Sequence, residues 1–349
     1  MSIAKVAQLA GVSNTTVSYV INNKPGISLG TISRVKAAMR DIGYVPRPRN
    51  FKSLLRNKSG GLRTGNIGVA MPEYVISTVP FYARLFDSIH HALDDKGLKM
   101  ISLKTSKNSS FSAGALTDLD GILLCFYSKE LIERLNLPLV SILGHPSAED
   151  ELMSDHVEPA NDRIGVMAAK YFIGRGHKKI LAINPNVGEH PPMRIRAEYF
   201  VNTSEKYGIN AESRKVPFAE RDDNGRLFEG DRIESIGEFI SEYKALADKP
   251  TGIFVPSDSH LVVLQKSFSA AGIRLGVDVE FLGCDNENTL LDCLDVRPAT
   301  IDINPKAIAK AAINLLLQRL GDFEAGDTTF QMVSILPSMV AGGTGTKEW

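Results

Sequence analysis

Two aspartates follow apolar segments that are short enough to be buried strands. Asp258 comes shortly after Ile253–Val255, and Asp285 comes directly after Glu280–Cys284. Ligands of parallel α/β sheets bind beyond the carboxyl ends of the strands, and carboxylates accept hydrogen bonds from hydroxyl groups. The sequence therefore predicts a small-molecule site there, although each aspartate taken alone also fits a surface ion pair or a helix cap.

Aromatic residues follow the first such segment, Ile67–Met71, and Phe81 and Tyr82 are the candidates by the same rule. Two enzymatic alternatives remain open. Asp258 and Asp285 could act as acid and base on a carbohydrate, or Cys284 could act as a nucleophile paired with His260. A cysteine that ends an apolar strand is more often inert packing.

Metal and cofactor chemistry is not indicated by the sequence. The seven histidines include no His-x-x-x-His pair, and the three cysteines include no Cys-x-x-Cys pair. His90 and His91 are adjacent on a predicted helix, so they cannot share a face. We expect no metal site and no cofactor.

The elements that position these residues alternate between short apolar runs and amphipathic helices. This alternation predicts parallel sheets covered on both faces. The predicted strands are Ile67–Met71, Met100–Leu103, Ile122–Phe126, Leu139–Leu143, Ile180–Ile183, Ile253–Val255 and Glu280–Cys284. The predicted helices are Phe81–Lys96, Asp162–Arg175, Met193–Tyr207, Arg232–Leu246 and Asp258–Ala271.

The charge of the chain is distributed unevenly, although its net value is zero. Residues 1–63 hold eleven lysines and arginines and a single acidic residue, Asp41, whereas the remainder holds 29 basic and 39 acidic residues. Such a basic segment is typical of a part that binds a polyanion. No apolar run approaches the roughly 18 residues of a membrane span, and the first residues lack a secretory signal, so we expect a cytoplasmic protein.

The basic segment has the pattern of three short helices. Val6, Ala7 and Ala10 recur at helical spacing, Ser13 is a good N-cap for a helix from Asn14 to Ile21, and Thr31 is the expected cap of a third helix. A generic three-helix bundle fits this pattern as well as a DNA-binding helix-turn-helix does. The charge favours DNA, and the outward polar residues of the second helix are Asn14, Thr15, Ser18 and Tyr19.

The run IAKVAQLAGVSNTTVSYVINNKPGISLGTISRVKAAMRDIGYVP closely resembles the headpiece of the lactose-repressor (LacI/GalR) family of bacterial transcription regulators. The resemblance implies that base edges are read by Asn14, Thr15 and Tyr19. It implies that the phosphate backbone is contacted by Ser13, Thr16, Ser18, Asn22, Ser28 and Thr31. Tyr19 stands where the family usually has arginine, so we expect an unusual operator preference.

The linker and the body resemble the same family. In the family the linker folds as a hinge helix on the operator and a leucine enters the minor groove, which implies Leu54 or Leu55 here; a disordered basic tether is the alternative. The body resembles the family's periplasmic-binding-protein-like core from end to end, and the resemblance implies a further helix at Pro305–Leu320. This resemblance adds Arg196 to Phe81, Tyr82, Asp258 and Asp285 as effector-binding positions.

The predicted architecture is therefore an all-α helix-turn-helix headpiece plus an α/β core of two parallel-sheet subdomains. The expected ranges are a headpiece at 1–46, a linker at 47–64, a first subdomain at 65–158 with 300–324, and a second subdomain at 159–299 with 325–349. The resemblance implies a non-enzymatic, effector-responsive regulator of the repressor type that binds a pseudo-palindromic operator as a homodimer. Its other partner would be a sugar-like small molecule.

Overall fold

The computed structural model describes residues 3–21, 26–41, 64–72, 76, 79–103, 116, 118–146, 152–185, 191–216, 218, 229–324 and 329–343. The chain divides into two compact units, which are described separately: residues 1–53, the head, and residues 54–349, the body.

The described residues of the head form three helices, α1 (Ile3–Ala10), α2 (Asn14–Ile21) and α3 (Leu29–Asp41). Their apolar faces form one small core of Val6, Ala7, Ala10, Val17, Val20, Val35 and Ala38. Gly11, at φ 63°, allows the chain to leave α1 in the left-handed conformation that glycine adopts at little cost. The predicted helix-turn-helix pattern is confirmed.

One predicted cap is wrong. The third helix begins at Leu29, and the Ser28 hydroxyl accepts a hydrogen bond from the Thr31 backbone amide at 3.2 Å. Thr31 therefore lies inside the first turn. Both residues have a hydroxyl that could cap, and in the sequence nothing else distinguishes them.

The body contains two six-stranded sheets. In the first sheet all neighbouring strands are parallel. Its strands, from one edge to the other, are β11 (Met332–Ile335), β5 (Asp155–Pro159), β4 (Leu139–Ile142), β3 (Gly121–Cys125), β1 (Asn66–Ala70) and β2 (Lys99–Leu103). We call this sheet and its helices the first subdomain.

The second sheet is parallel except for one edge strand, β12, which runs antiparallel to its neighbour. Its strands, in order, are β12 (Ser338–Val340), β10 (Ala299–Asp302), β9 (Glu280–Cys284), β8 (Gly252–Phe254), β6 (Lys179–Asn184) and β7 (Asn210–Lys215). This sheet and its helices form the second subdomain. The seven predicted strands are confirmed, whereas β5, β7, β10, β11 and β12 have no counterpart among them.

Helices connect most of the consecutive strands, as expected for parallel pairing. They are α4 (Pro80–Asp94), α5 (Lys129–Arg134), α6 (Asn161–Gly174), α7 (Pro191–Lys206), α8 (Glu229–Ala245), α9 (Asp258–Ala270), α10 (Asn288–Leu291) and α11 (Pro305–Glu324). The predicted helices are confirmed, and α5 and α10 are additional.

Strand pairing corrects two of the expected subdomain boundaries. The expected ranges place residues 300–302 in the first subdomain, but β10 pairs with β9 in the second sheet, and only α11 packs on the first subdomain, against α4 and β3 to β5. They place residues 332–335 in the second subdomain, but β11 pairs with β5 in the first sheet. Strand β11 is a short edge strand with partly exposed residues, so its hydrophobic signal in the sequence is weak.

Within the described ranges, no group of three or more His, Cys, Asp or Glu residues could hold a metal ion. Within the same ranges, no helix has both the length and the apolar character needed to cross a bilayer.

A buried carboxylate joins α6 to the start of two strands of the second sheet. Glu280, which is 1% exposed, accepts hydrogen bonds from Tyr171 Oη at 2.7 Å and Arg175 Nε at 2.7 Å. His177 Nε2 lies 2.9 Å away and must carry its hydrogen, because a carboxylate can only accept. Burial alone would raise the pKa of Glu280, but these hydrogen bonds outweigh it, so the pKa is lowered from 4.5.

We expect Glu280→Gln to destabilise the body by about 3 kcal/mol at neutral pH. This value is the lower end of the range for removing one partner of a buried ion pair, since the remaining cation, Arg175, keeps partial access to water. Since the folded pKa of Glu280 is lowered, its contribution is present above pH 4.5 and is lost as the pH falls through the folded value. Urea unfolding at pH 7 and pH 3 would measure both effects. Tyr171→Phe, which removes one hydrogen bond and no charge, is the control; equal stability of Glu280→Gln and the parent at pH 7 would contradict the expectation.

Candidate nucleic-acid interface and effector cleft

The second helix of the head turns a polar face outward. Val17 and Val20 are buried in the core, whereas Asn14, Thr15 and Tyr19 are exposed, Tyr19 at 41%. At helical spacing these three residues lie within one face of α2. The structure thus places the three predicted base-reading residues together on an accessible helix surface.

Two matching caps fix the starts of α2 and α3. The Ser13 hydroxyl accepts a hydrogen bond from the Thr16 amide at 3.1 Å and lies 2.9 Å from the Thr16 hydroxyl. Ser28 and Thr31 repeat the arrangement at 3.2 Å and 3.0 Å. A helix N-terminus attracts phosphate through its amides and its dipole, so four of the predicted phosphate contacts lie where an anion is favoured.

The remaining predicted DNA contacts divide into two groups. Ser18 is half-buried on α2. The predicted contacts Asn22, Leu54 and Leu55 lie outside the described residues.

In the body, the second-sheet strands end at a group of buried acids. Asp258 is the first residue of α9 and is completely buried. The Thr300 hydroxyl lies 3.0 and 2.9 Å from its two carboxylate oxygens, and the Glu287 amide donates to Oδ2 at 2.9 Å. Burial, and then the neighbouring charge of Asp285, raise the pKa of Asp258 well above its usual value.

Arg196 lies at the centre of this group on α7 and is 6% exposed. Its Nε donates to Asn161 Oδ1 at 3.0 Å, and its Nη1 donates to the Pro256 carbonyl at 2.8 Å. Nη1 also lies 3.8 Å from Asp285 Oδ1. Helix α7 packs closely against α6 because Gly165 of α6 has no side chain. A Cβ at Gly165 would lie 2.3 Å from the Arg196 carbonyl oxygen.

Asp285 is held in an unusual backbone conformation, φ 106°, directly after β9. Burial is the largest influence on its carboxyl group and, against the opposing effect of Arg196, raises its pKa to about 7. Near neutral pH this carboxyl group therefore exists in both the protonated and the charged form. It can donate or accept a hydrogen bond accordingly.

The predicted aromatic residues lie on α4 of the first subdomain. Phe81 is buried, and its ring meets Tyr82 edge to face at 5.2 Å between centroids. Tyr82 meets Phe126, which follows β3, at 5.6 Å. These rings and the acidic group belong to different subdomains, and a polar contact between those subdomains is made one helical turn further along α4.

That contact is Arg84, which the sequence analysis missed. Its Nη2 donates to the Asp285 carbonyl oxygen and, at 3.1 Å, to Glu287 Oε1. Asn161 was also missed as a site residue: it is 3% exposed, and its side-chain nitrogen is buried without a hydrogen-bond partner among the described residues. The position of Arg84 one turn after Phe81 was the only available signal, since its partners lie about 200 residues away.

The alternative catalytic pair does not have the required chemistry. Cys284 is fully buried, with its sulfur 3.5 Å from Arg196 Nη1, and burial raises the pKa of its thiol well above the usual value. A thiol must be deprotonated to act as a nucleophile. The ring of His260 packs against Phe218 at 4.5 Å.

Comparison with known proteins agrees with both units. The model described as "Bacterial regulatory proteins, lacI family" matches residues 2–47, and the model described as "Periplasmic binding protein-like domain" matches residues 169–344. The HTH-type transcriptional repressor PurR of Photobacterium profundum is 28% identical in an alignment 349 positions long that covers 95% of this chain and 95% of that one.

Two solved structures share the fold over almost the whole chain. The transcriptional regulator CelR–cellobiose complex has a TM-score of 0.64 at 19% identity and covers 99% of this chain and 100% of that one. The lac repressor dimer bound to operator and the anti-inducer ONPF has a TM-score of 0.62 at 18% identity, with 99% and 98% covered.

A helix-turn-helix head on a periplasmic-binding-protein-like body defines a class of DNA-binding transcription regulators. The chain belongs to the lacI family of bacterial regulatory proteins. The resemblance found in the head and body sequences is thereby confirmed.

The raised pKa of Asp285 predicts a pH-dependent stability. Because the folded chain binds this proton more tightly than the unfolded chain, the free energy of unfolding contributed by Asp285 falls as the pH rises from about 4 to about 7. We expect Asp285→Asn to flatten the pH dependence of the free energy of unfolding. The charge of Asp285 also raises the pKa of Asp258, so removing that charge lowers the Asp258 pKa and flattens the dependence further. Denaturant titrations at several pH values would test this. The exposed Asp248→Asn is the control, and parallel pH profiles for the parent and Asp285→Asn would refute the assignment.

Proposed function

We propose that this protein is an effector-responsive repressor that binds a pseudo-palindromic operator as a homodimer in the cytoplasm. A sugar-like small molecule would bind between the two subdomains of the body. The observation that carries the proposal is the exposed polar face of α2 flanked by two capped helix starts, in a chain of the lacI family. The net charge of the basic segment, residues 1–63, supports it.

In this proposal α2 enters the major groove. Asn14, Thr15 and Tyr19 would read base edges, for which amide and hydroxyl groups offer donors and acceptors. The capped starts of α2 and α3 would hold phosphates, with Ser13, Thr16, Ser28 and Thr31 at the surface of each cap and Ser18 and Asn22 beside them. The linker, residues 47–64, would complete the contact by placing Leu54 or Leu55 in the minor groove.

The effector would contact both subdomains. Asp285 and Arg196 offer a carboxyl and a guanidinium group that suit neighbouring hydroxyls, and Phe81 and Tyr82 belong to the opposite side. Asp258 would act through the turn that carries Asp285, because its own oxygens already accept hydrogen bonds from Thr300 and Glu287. A related regulator whose structure was solved with cellobiose supports a sugar-like ligand.

We also propose that the protein is not an enzyme. Acid and base catalysis by Asp258 and Asp285 would require both carboxyl groups to reach a substrate. The complete burial of Asp258 argues against acid and base catalysis. The thiol of Cys284 is neutral because burial raises its pKa, and this argues against a nucleophilic role. Turnover of a sugar panel by the purified protein would overturn this proposal.

For the head, we expect Tyr19→Ala to change which sequences are preferred, whereas Ser13→Ala should weaken binding to all sequences alike. Selection from a random DNA library, followed by affinity measurement at several salt concentrations, would test this; each phosphate contact adds about −0.9 to the slope of log affinity against log salt. Thermal unfolding of Ser13→Ala controls for the loss of a cap, worth about 1 kcal/mol. An unchanged consensus for Tyr19→Ala would count against the base-reading role.

For the body, we expect a small molecule that raises the melting temperature in a sugar screen to change operator affinity by about 5- to 150-fold, the usual range of allosteric coupling. Asp285→Ala should remove this response and leave operator affinity in the absence of the small molecule near the parent value. Loss of operator binding by a folded Asp285→Ala protein would contradict the assignment of Asp285 to the effector site.

A further inference from the structure

Arg84 is a direct polar link between the two subdomains. It is carried by α4, which packs with α11 on the first subdomain, yet both of its acceptors belong to the segment that follows β9 in the second. One acceptor is the main-chain oxygen of Asp285, and the other is the carboxylate of Glu287. A single guanidinium group thus holds the backbone and a side chain of the same turn.

The link is partly shielded from water. Glu287 is 1% exposed, whereas the side chain of Arg84 is 36% exposed. Burial raises the pKa of Glu287, and the charge and hydrogen bond of Arg84 partly offset that effect. If the subdomains separated, Glu287 would lose the cation that compensates its charge, so opening carries an electrostatic cost that an exposed surface pair would not impose.

The turn that Arg84 contacts is also rigid. Asp285 and Asn286 both have positive φ, 106° and 55°, and the Asn286 amide donates to the Thr300 hydroxyl at 3.3 Å. The Glu287 amide is held by Asp258. Because the turn is fixed within the second subdomain, the contact with Arg84 constrains the whole subdomain and not only a loose loop.

We propose that Arg84 is a positioning residue that holds the two subdomains together before any effector binds, and that it sets the place of Asp285 opposite Phe81 and Tyr82. The proposal deepens the function proposed above and rests on it for the meaning of the cleft. Its consequence is that an effector meets a site whose two sides are already joined. The Nε of Arg84, which is buried without a hydrogen-bond partner among the described residues, remains available to an oxygen of that effector.

The distance between the subdomains tests this without any ligand. Cys293 is exposed in the second subdomain, whereas Cys125 and Cys284 are buried, so Cys293 and an introduced Glu133→Cys on α5 can carry a pair of spin labels. The full-length labelled chain is diluted with unlabelled chain, so that distances within one protomer dominate. Measurements are made in the absence of DNA and of sugars.

The informative variant is Arg84→Ala with Glu287→Gln, because the second change avoids leaving a buried unpaired carboxylate. We expect the ratio of open to closed molecules to rise by about 5- to 30-fold, the effect of losing one or two kcal/mol. Arg84→Lys should restore part of the closed population, since lysine keeps the charge but not the planar fork. Arg134→Ala is the control: Arg134 pairs with Glu130 within α5 and does not cross the cleft.

Two results would overturn the proposal: an unchanged distance distribution in the folded double variant, or an equal change in Arg134→Ala. The readout does not depend on DNA binding. Operator affinity measured separately on the same proteins therefore distinguishes failure of this proposal from failure of the regulator function.

Discussion

The buried carboxylate of Asp258 holds the turn after β9, residues 285–287, which belongs to the candidate effector site between the two subdomains. It accepts from the Thr300 hydroxyl of β10 and from the Glu287 amide, and it lies against β9 so closely that a Cβ on Gly283 would be 1.9 Å from its Oδ1. These contacts fix the turn in which Asp285 and Asn286 have positive φ, a conformation that costs free energy unless its surroundings enforce it. The same turn presents Asp285 to Arg196 and Glu287 to Arg84.

How far the sequence predicted the fold depends on what each strand is made of. Apolar runs such as Ile122–Phe126 and Glu280–Cys284 were recognisable because fully buried parallel strands are hydrophobic on both faces. Strand β5 is just as buried, but it contains Asp155, His156 and Glu158. The carboxylate of Asp155 is paired with a residue distant in sequence, Arg319, which contacts both of its oxygens at 2.6 and 3.0 Å. A strand stabilised in this way has no hydrophobic signal.

The candidate effector site was likewise predictable only in part from the sequence. The rule that ligands bind beyond strand ends led to Asp258 and Asp285, because it depends only on where apolar runs stop. It did not reveal that Asp258 is enclosed by Thr300 and Glu287, since no pattern in the sequence separates a carboxylate that faces a ligand from one that supports a turn. Arg84 and Glu287 were missed for a related reason. The sequence contains many charged residues, and only the three-dimensional structure shows which of them form an ion pair.

In the proposed function, the turn after β9 would link ligand recognition to closure of the two subdomains. Its Asp285 side chain faces Arg196 of the second subdomain, while its main-chain oxygen accepts from Arg84 of the first. A ligand shifts a conformational equilibrium only by the difference in its affinity for the two states. In the function proposed above, a molecule bound to the Asp285 carboxyl group would touch a turn whose other side contacts Arg84, and its affinity would differ between the joined and the separated forms to the extent that losing Arg84 moves that carboxyl group. Such coupling is reciprocal. In this proposal, any interaction elsewhere in the protein that favours the joined or the separated form would therefore change the affinity for an effector at Asp285 by the same factor.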